Sequence, residues 1–279
     1  MPGPRRPEGF RRARGSSGRG ERRLKVRVKK ARGRTTAQVR WLERQLNDPF
    51  VALAREKGYR SRAAFKLIGI DDKFRLLKPG AKVVDLGATP GGWSQVAAER
   101  VQAAEGKGRV VAVDVHSVEP IPGVVILKQD FLAPEAPARI MEALGTTQAD
   151  VVLSDMAAHA TGHRQTDHLK VMALAEAAAD FACQVLAPGG AFVAKVLRGG
   201  TEGELLKRLK QDFARVRHFK PQASRPDSAE LYVVATGFRG RAVADRIGER
   251  ASTSEAREEL KEPDRNRQPP SPLPSKDGP

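Results

Sequence analysis

Short runs of β-branched and apolar residues alternate with longer helical patterns from residue 82 onward, and this alternation constrains the fold more than any other feature of the chain. Parallel strands need long crossover connections, which are usually helices, so the alternation predicts a parallel sheet with helices on both faces. The predicted strands are residues 82–86, 109–114, 124–128, 150–155 and 190–196, and the predicted helices are 93–104, 135–144, 168–186 and 202–213. The expected fold class is therefore α/β.

The last two predicted strands, 214–219 and 231–236, depart from this alternation. The segment between them, "PQASRPDSA", contains two prolines and is too short for a crossover helix, so the two strands should pair as an antiparallel hairpin. We therefore expect a seven-stranded, mostly parallel sheet that ends in an antiparallel hairpin. Upstream of the sheet, "TTAQVRWLERQL" and "SRAAFKLIGIDDKF" predict two helices, the first capped by a threonine and the second by Ser61.

The basic charge of the chain is concentrated at its N-terminus. The first 34 residues carry 14 Lys and Arg against two Glu, a net charge of +12 out of +17 for the whole chain. With few apolar residues to bury, residues 1–35 should form a disordered arm that attracts a polyanion such as nucleic acid, and the alternative is a solvated tail without a specific role. Residues 241–279 are polar and proline-rich and should form a second disordered tail, which leaves 36–240 as the folded domain.

The rest of the composition points to an intracellular protein. No apolar run is long enough to span a bilayer, and an organelle transit peptide is disfavoured because the arm makes a poor amphipathic helix. The single cysteine, Cys183, excludes an intramolecular disulfide and a thiolate metal cage. We expect a cytoplasmic monomer without a membrane anchor, and no metal site at His159, His163 and His168, because cysteine ligands are missing.

A glycine-rich turn follows the first strand in "VVDLGATPGGW", residues 83–93. Ligands of open α/β sheets lie outside the carboxyl ends of the strands, and glycines there let the backbone approach a ligand closely. The turn does not match the dinucleotide fingerprint G-x-G-x-x-G, and Pro90 removes one N–H that could donate to a pyrophosphate. A ligand without phosphates is therefore favoured over NAD.

Acidic residues end three successive strand units. Asp85 ends the first, Asp114 the second, and Asp130 follows the third. Carboxylates at these positions can accept hydrogen bonds from ribose hydroxyls and from a purine amine, and together they suit a cationic adenosine compound. S-adenosylmethionine fits this description, whereas the alternative for each residue is that it caps a turn or a helix.

Ionisable residues that could perform chemistry lie close to the same strand ends. Asp155 ends the fourth strand, and Lys195 lies inside the otherwise apolar fifth strand, where desolvation of an ammonium group favours its neutral, basic form. Lys66 on the early helix and Glu230 at the start of the last strand could complete two pairs of opposite charge. A surface lysine that buries only its aliphatic stem is the alternative for Lys66.

Five sequence blocks in order resemble the FtsJ/RlmE family of ribosomal RNA ribose 2′-O-methyltransferases. They are "DPFVALAREKGYRSRAAFKL", "VVDLGATPGGWSQV", "LSDMA", "LAPGGAFVAKV" and "SAELYVVATG", spread over residues 47–237. The resemblance implies a Rossmann-like S-adenosylmethionine-dependent fold, a uridine of large-subunit (23S) ribosomal RNA as substrate, and a Lys-Asp-Lys-Glu tetrad. The tetrad falls on Lys66, Asp155, Lys195 and Glu230, and the cofactor contacts fall on Gly91, Trp93, Asp114, Asp130 and Asp155. Ala158 and His159 depart from the family, which usually has proline and asparagine there.

The implied reaction begins with a uridine ribose whose 2′-hydroxyl is oriented and deprotonated by Lys195. A base methyltransferase is disfavoured, because Cys183 lies in a predicted helix and "SDMAAH" lacks the Pro-Pro turn of amine methyltransferases. Two further alternatives are a non-catalytic RNA-binding ribosome-assembly factor, and a 2′-O-methyltransferase that acts on tRNA or on an mRNA cap.

Overall fold

The computed structural model describes residues 26–28, 32–158, 161–199 and 202–240. The chain divides into two compact units, residues 1–49 and 50–279. The predicted arm and tail, 1–35 and 241–279, fall mainly outside the described residues, so their disorder stays a prediction. No helix in the described ranges combines the length and the apolar character that a membrane crossing needs.

The first unit contains helix α1, Thr36–Leu46. Thr35 caps this helix as predicted: its Oγ1 accepts a hydrogen bond from the Gln38 amide at 3.2 Å, and the Gln38 side chain accepts one in return from the Thr35 amide at 3.0 Å. This reciprocal capping box satisfies two amides that would otherwise lack partners at the helix start.

The second unit is built on one sheet and its covering helices. The elements after α1 are α2 Pro49–Glu56, α3 Ala64–Phe74, β1 Lys82–Leu86, α4 Gly92–Val101, a 3-10 turn Ala103–Glu105, β2 Arg109–Asp114, β3 Val124–Lys128, α5 Ala136–Leu144, β4 Ala149–Ser154, α6 Arg164–Val185, β5 Leu186–Leu197, α7 Glu202–Asp212, β6 Phe213–Phe219 and β7 Glu230–Phe238. The seven strands lie in the order β3-β2-β1-β4-β5-β7-β6.

Strands β1 to β5 run parallel to one another, whereas β7 runs antiparallel to both β5 and β6. This confirms the predicted α/β sheet with its antiparallel C-terminal pair. One face of the sheet packs against α5, α6 and α7, and the other packs against α3 and α4. Successive residues of β1 alternate between the two cores, so Val84 faces the first and Val83 the second.

Two local predictions need correction, and one helix was not predicted. Ser61 does not cap the second helix: α3 begins later, at Ala64 after Ala63, and the buried Ser61 hydroxyl forms no hydrogen bond with the described residues. Helix α2 was not predicted. Strand β5 begins at Leu186, directly after α6, whereas the predicted strand began only at residue 190.

Candidate active site

Two buried ion pairs lie at the edge of the sheet where the parallel strands end. Lys195 Nζ lies 2.8 Å from Asp155 Oδ1 and donates to the Asp155 carbonyl oxygen at 2.8 Å. Lys66 Nζ lies 2.8 Å from Glu230 Oε1 and 2.9 Å from Glu230 Oε2. The four side chains expose only 10% to 16% of their surface, so these charges are largely removed from water and depend on one another.

The antiparallel direction of β7 explains how Glu230 reaches this edge. Because β7 runs against β5, its first residue lies beside the last residue of β5, and the register pairs Leu197 with Glu230 and Lys195 with Tyr232. Lys66 comes from α3, which packs on the same face of the sheet as Tyr232. The structure therefore brings all four residues of the predicted tetrad together.

Tyr232 links the two ion pairs, and sequence reasoning missed it. Its hydroxyl donates to Asp155 Oδ1 at 2.7 Å and accepts from Lys66 Nζ at 3.3 Å. Burial, together with the negative charges of Asp155 and Glu230, raises the pKa of Tyr232 well above its usual value, so the phenol keeps its proton and remains a donor. Ser224 extends the network, because its hydroxyl donates to Glu230 Oε1 at 2.9 Å.

Asp155 remains ionised within this network. Burial opposes its ionisation, but the charges of Lys195 and Lys66, with hydrogen bonds from Lys195 and Tyr232, hold the pKa of Asp155 below its usual value. A carboxylate in this state can fix the position of the Lys195 ammonium group. Lys195 Nζ is thus held at the sheet edge by two oxygens of one residue.

The glycine-rich turn lies at the point where strand order reverses between β1 and its neighbours β2 and β4. Gly91 has a φ of 112°, and a Cβ there would lie 2.8 Å from the Arg60 guanidinium. That guanidinium donates to the carbonyl oxygens of Glu119 at 2.7 Å and Pro120 at 2.8 Å. Arg60, another residue that sequence reasoning missed, therefore packs against the turn and anchors it to the segment after β2.

The acidic residues at the neighbouring strand ends hold backbone amides. Asp114 Oδ2 accepts from Thr89 N at 2.9 Å and Asp114 Oδ1 from His116 N at 2.8 Å. Asp130, which is exposed, accepts from Leu132 N at 2.9 Å. Both carboxylates therefore stabilise turns, which is the alternative that the sequence left open. Each oxygen has a second lone pair, so the turn-capping role does not prevent either residue from accepting a hydrogen bond from a ligand.

Two further residues of the turn region are buried. Trp93 exposes 3% of its surface, donates from its indole nitrogen to the Ala63 carbonyl oxygen at 2.9 Å, and packs its ring 5.5 Å from that of Tyr232. The Trp93 ring therefore packs against Tyr232, the residue that joins the two ion pairs. Burial raises the pKa of the fully buried Asp85 to about 7, and a hydrogen bond from Ser94 at 2.6 Å offsets only part of this rise.

The residues around the turn fit S-adenosylmethionine. Carboxylates at the ends of β2, β3 and β4 supply acceptors for ribose hydroxyls and for amines, and their negative charge suits a sulfonium cation. Ala158 belongs to the described residues and His159 lies outside them, so the effect of this departure from the family pattern stays untested.

Together, the seven-stranded sheet with its reversed last strand and the acidic crevice define a Rossmann-like class I methyltransferase that uses S-adenosylmethionine. The sequence matches the model of the FtsJ-like methyltransferase family over residues 59–238. The chain belongs to this family.

Relatives and a solved structure agree with this assignment. A protein of Xanthobacter autotrophicus named Ribosomal RNA large subunit methyltransferase E is 64% identical over 219 residues, which cover 78% of this chain and 86% of that protein. A protein of the same name from Parvibaculum lavamentivorans is 61% identical over 229 residues, covering 80% and 90%. A crystal structure from Plasmodium falciparum, provisionally named a ribosomal RNA methyltransferase, superposes with a TM-score of 0.59 at 31% identity and covers 66% of this chain and all of its own.

Proposed function

We propose that this methyltransferase transfers a methyl group to the ribose 2′-hydroxyl of a uridine in 23S ribosomal RNA, within the large ribosomal subunit. The names of the relatives support ribosomal RNA of the large subunit as the substrate. The proposal also includes a monomeric enzyme that works in the cytoplasm, where bacterial ribosomes are found.

The observation that carries the chemistry is the position of Lys195 Nζ, fixed by Asp155 and next to the glycine-rich crevice. S-adenosylmethionine supplies an electrophilic methyl group when it is bound. In the proposed roles, Lys195 orients the substrate 2′-hydroxyl and helps to deprotonate it, while Asp155 holds Lys195 in place. Lys66 and Glu230 hold the other side of the network through Tyr232.

We propose that Gly91, Trp93, Asp114, Asp130 and Asp155 hold the cofactor. Gly91 keeps the turn open, because its positive φ disfavours any side chain there. Asp114 supports the turn through the Thr89 amide and is the proposed acceptor for the ribose hydroxyls. Asp130 is the proposed acceptor for the adenine amine.

Methyl transfer from labelled S-adenosylmethionine to large subunits that lack the modification tests the proposal. We expect Lys195→Ala to lower the rate at least about 100-fold, because general acid–base catalysis contributes on this scale. The exposed Lys207→Ala on α7 is the matched control and should transfer at the wild-type rate. Calorimetric titration with S-adenosylmethionine should show little change in affinity for either variant, which also shows that both are folded.

The identity of the substrate is tested by mapping ribose methylation on 23S ribosomal RNA from cells with and without the protein. Loss of one 2′-O-methyluridine is the expected result. Methyl transfer to tRNA or capped RNA but not to large subunits would contradict the proposed substrate, and wild-type turnover by Lys195→Ala would contradict the proposed role of the lysine.

A further inference from the structure

A groove of about 970 Å³ lies where the parallel strands begin, at the opposite end of the strands from the tetrad. Its walls come from the segment between α3 and β1, the beginnings of β4 and β6, the first half of β5 and the end of β7. Strand β1 has five residues, so the groove and the crevice are separated by about 15–20 Å. One nucleotide therefore cannot contact both.

Basic side chains dominate the lining of this groove. Five exposed residues contribute positive charge: Lys73, Arg75, Lys78, Arg215 and Arg217. The acidic residue among the lining residues is Asp150, and its Oδ2 already accepts a hydrogen bond from the Lys82 amide at 2.8 Å. The groove thus carries a net positive charge that its own walls do not neutralise.

These five cations differ from other basic residues on the same unit. Arg100 pairs with Asp72 at 2.9 Å and Lys107 with Glu105 at 3.1 Å. Within residues 50–158, 161–199 and 202–240, by contrast, none of the five basic groove residues forms an ion pair with a carboxylate. Grouping like charges without counterions disfavours the folded state, so the cluster is better explained by an external polyanion than by a role in stability.

The shape of the groove favours an extended chain over a small molecule. It is open to solvent and has a charged rim, whereas sites for small molecules are mostly enclosed and apolar. Gly80, Gly189 and Gly190 line it without side chains, and a Cβ at Gly189 would meet nothing within 4 Å. Lys73 Nζ lies 4.5 Å above the Phe219 ring, which holds this cation in place at the rim.

We infer that this basic groove, defined by Lys73, Arg75, Lys78, Arg215 and Arg217, binds the sugar–phosphate backbone of the RNA substrate at a second point, remote from the methylated nucleotide. The choice of RNA as the polyanion rests on the proposed function. The contact is electrostatic and independent of sequence, and it places a large folded RNA against the sheet edge without taking part in the chemistry.

The double variant Arg215→Gln/Arg217→Gln tests this inference. The matched control is Lys207→Gln/Lys210→Gln, which removes the same charge from exposed positions on α7 outside the groove. The affinity for protein-free 23S ribosomal RNA is measured over a range of salt concentrations. Because each lost phosphate contact lowers the slope of log K against log salt by about 0.7–0.9, the groove variant should lose about 1.5 from the slope and the control nothing.

Kinetics separate this surface from the catalytic centre. We expect the groove variant to raise KM for RNA while kcat at saturating RNA and the affinity for S-adenosylmethionine stay at wild-type values. Equal slopes for the groove variant and the control would overturn the inference. A loss of affinity for large subunits but not for protein-free RNA would also overturn it, because the partner would then be a ribosomal protein.

A replacement variant and a separate assay complete the test. If the double variant on the edge strand β6 does not fold, as judged by thermal unfolding, Lys78→Gln in the segment before β1 replaces it, with an expected slope loss of about 0.8. The proposed function is tested separately by methyl transfer with wild-type protein. Absent methyl transfer with an intact difference in slope would leave the groove supported and the proposed function rejected.

Discussion

Tyr232 shows how one neutral hydroxyl can couple two buried ion pairs. It donates to a carboxylate on one side and accepts from an ammonium group on the other, so each pair gains a hydrogen bond that does not depend on water. Hydrogen bonds to charged groups are worth about 1.5–3 kcal/mol, more than neutral ones. The geometry of Lys195 therefore depends in part on a residue that carries no charge.

Replacing Tyr232 by phenylalanine should lower kcat for methyl transfer about tenfold, because Asp155 and Lys66 each lose a partner while the ring volume is kept. Steady-state kinetics with labelled S-adenosylmethionine measure this. Tyr59→Phe is the matched control: the chain has two tyrosines, and the Tyr59 hydroxyl donates to Glu99 at an exposed position. Equal kcat values for the two variants would exclude a role for the Tyr232 hydroxyl.

Asp85 makes the stability of the protein depend on pH. Its folded-state pKa of about 7 lies above the ordinary value of 3.8, so the folded protein retains a proton on Asp85 that the unfolded chain releases. The stability linked to this proton is fully present below pH 3.8 and is lost as the pH rises toward 7. Ionised Asp85 therefore destabilises the fold at neutral and alkaline pH.

Asp85→Asn removes this titration. Between pH 5 and pH 8 the free energy of unfolding of the variant should rise relative to wild type by about 2–3 kcal/mol, whatever its offset at pH 5. Urea unfolding at the two pH values measures the change. An unchanged difference between variant and wild type would show that Asp85 ionises normally in the folded protein.

At the scale of elements, the turn after β1 and the loop after β4 are in direct contact. Gly87 has a φ of 77°, and a Cβ there would lie 2.8 Å from the Cα and Cγ atoms of Met156. Because Cα is a backbone atom, the clash can be relieved only by moving the loop that carries Asp155. The turn thus fixes a proposed catalytic residue as well as the proposed cofactor crevice.

Gly87→Ala should therefore reduce both S-adenosylmethionine affinity and methyl transfer. Gly106→Ala is the control, since Gly106 has a similar φ of 73° but a Cβ added there would meet nothing within 4 Å. Both variants should lose about 1–2 kcal/mol of stability from the left-handed backbone, and Gly87→Ala about 1–3 kcal/mol more from the clash. Wild-type cofactor affinity in Gly87→Ala would mean that the loop can move without consequence.

The sequence was sufficient to predict the number and order of the strands, because most of them are short apolar runs bounded by turn residues. Strands β1, β2 and β3 have the predicted bounds, and the direction of β7 followed from the short, proline-containing connection before it. Helix boundaries were less predictable where caps depend on tertiary contacts. Ser61, for example, points to Gly92 of the turn, whose Cβ would lie 2.6 Å from its hydroxyl, rather than to the helix that follows it.

From residue patterns alone, the clearest signature of the site is an ionisable residue that interrupts an apolar run, whereas the full tetrad was predicted from the family resemblance. Lys195 in β5 has that signature, whereas Tyr232 in "ELYVVAT" is indistinguishable from an ordinary core residue of a strand. Its role follows from the pairing of β5 with β7, which opposes it to Lys195. Arg60 and Ser224 contribute through contacts between segments distant in sequence, and no local pattern marks such contacts.

At the scale of the whole molecule, the positive charge is divided between the predicted arm and the folded domain. Deleting residues 1–34 removes a net charge of +12, and the slope of log K for RNA against log salt should become less steep by several units if the arm contacts phosphates. Fluorescence anisotropy with labelled 23S ribosomal RNA fragments measures both slopes. An unchanged slope would mean that the arm does not contribute to RNA affinity.

Combining the deletion with Arg215→Gln/Arg217→Gln shows whether the arm and the basic groove act independently. Sites without shared partners contribute additively, so the two slope reductions should sum in the combined variant. A smaller reduction in the combined variant would mean that the arm and the groove compete for the same phosphates.

The pairing of β5 with β7 has a consequence for insertions and deletions. Glu230 and Tyr232 are two residues apart and so project from the same face of β7, and a shift of one position along β5 would turn both toward α5, α6 and α7. Substitutions in the segment between β6 and β7 should therefore be tolerated more readily than changes that shift the alignment of these two strands. The positions of Glu230 and Tyr232 thus depend on the backbone hydrogen bonds between β5 and β7. Changes in the length of the segment between β6 and β7 should be tolerated only when that pairing is preserved.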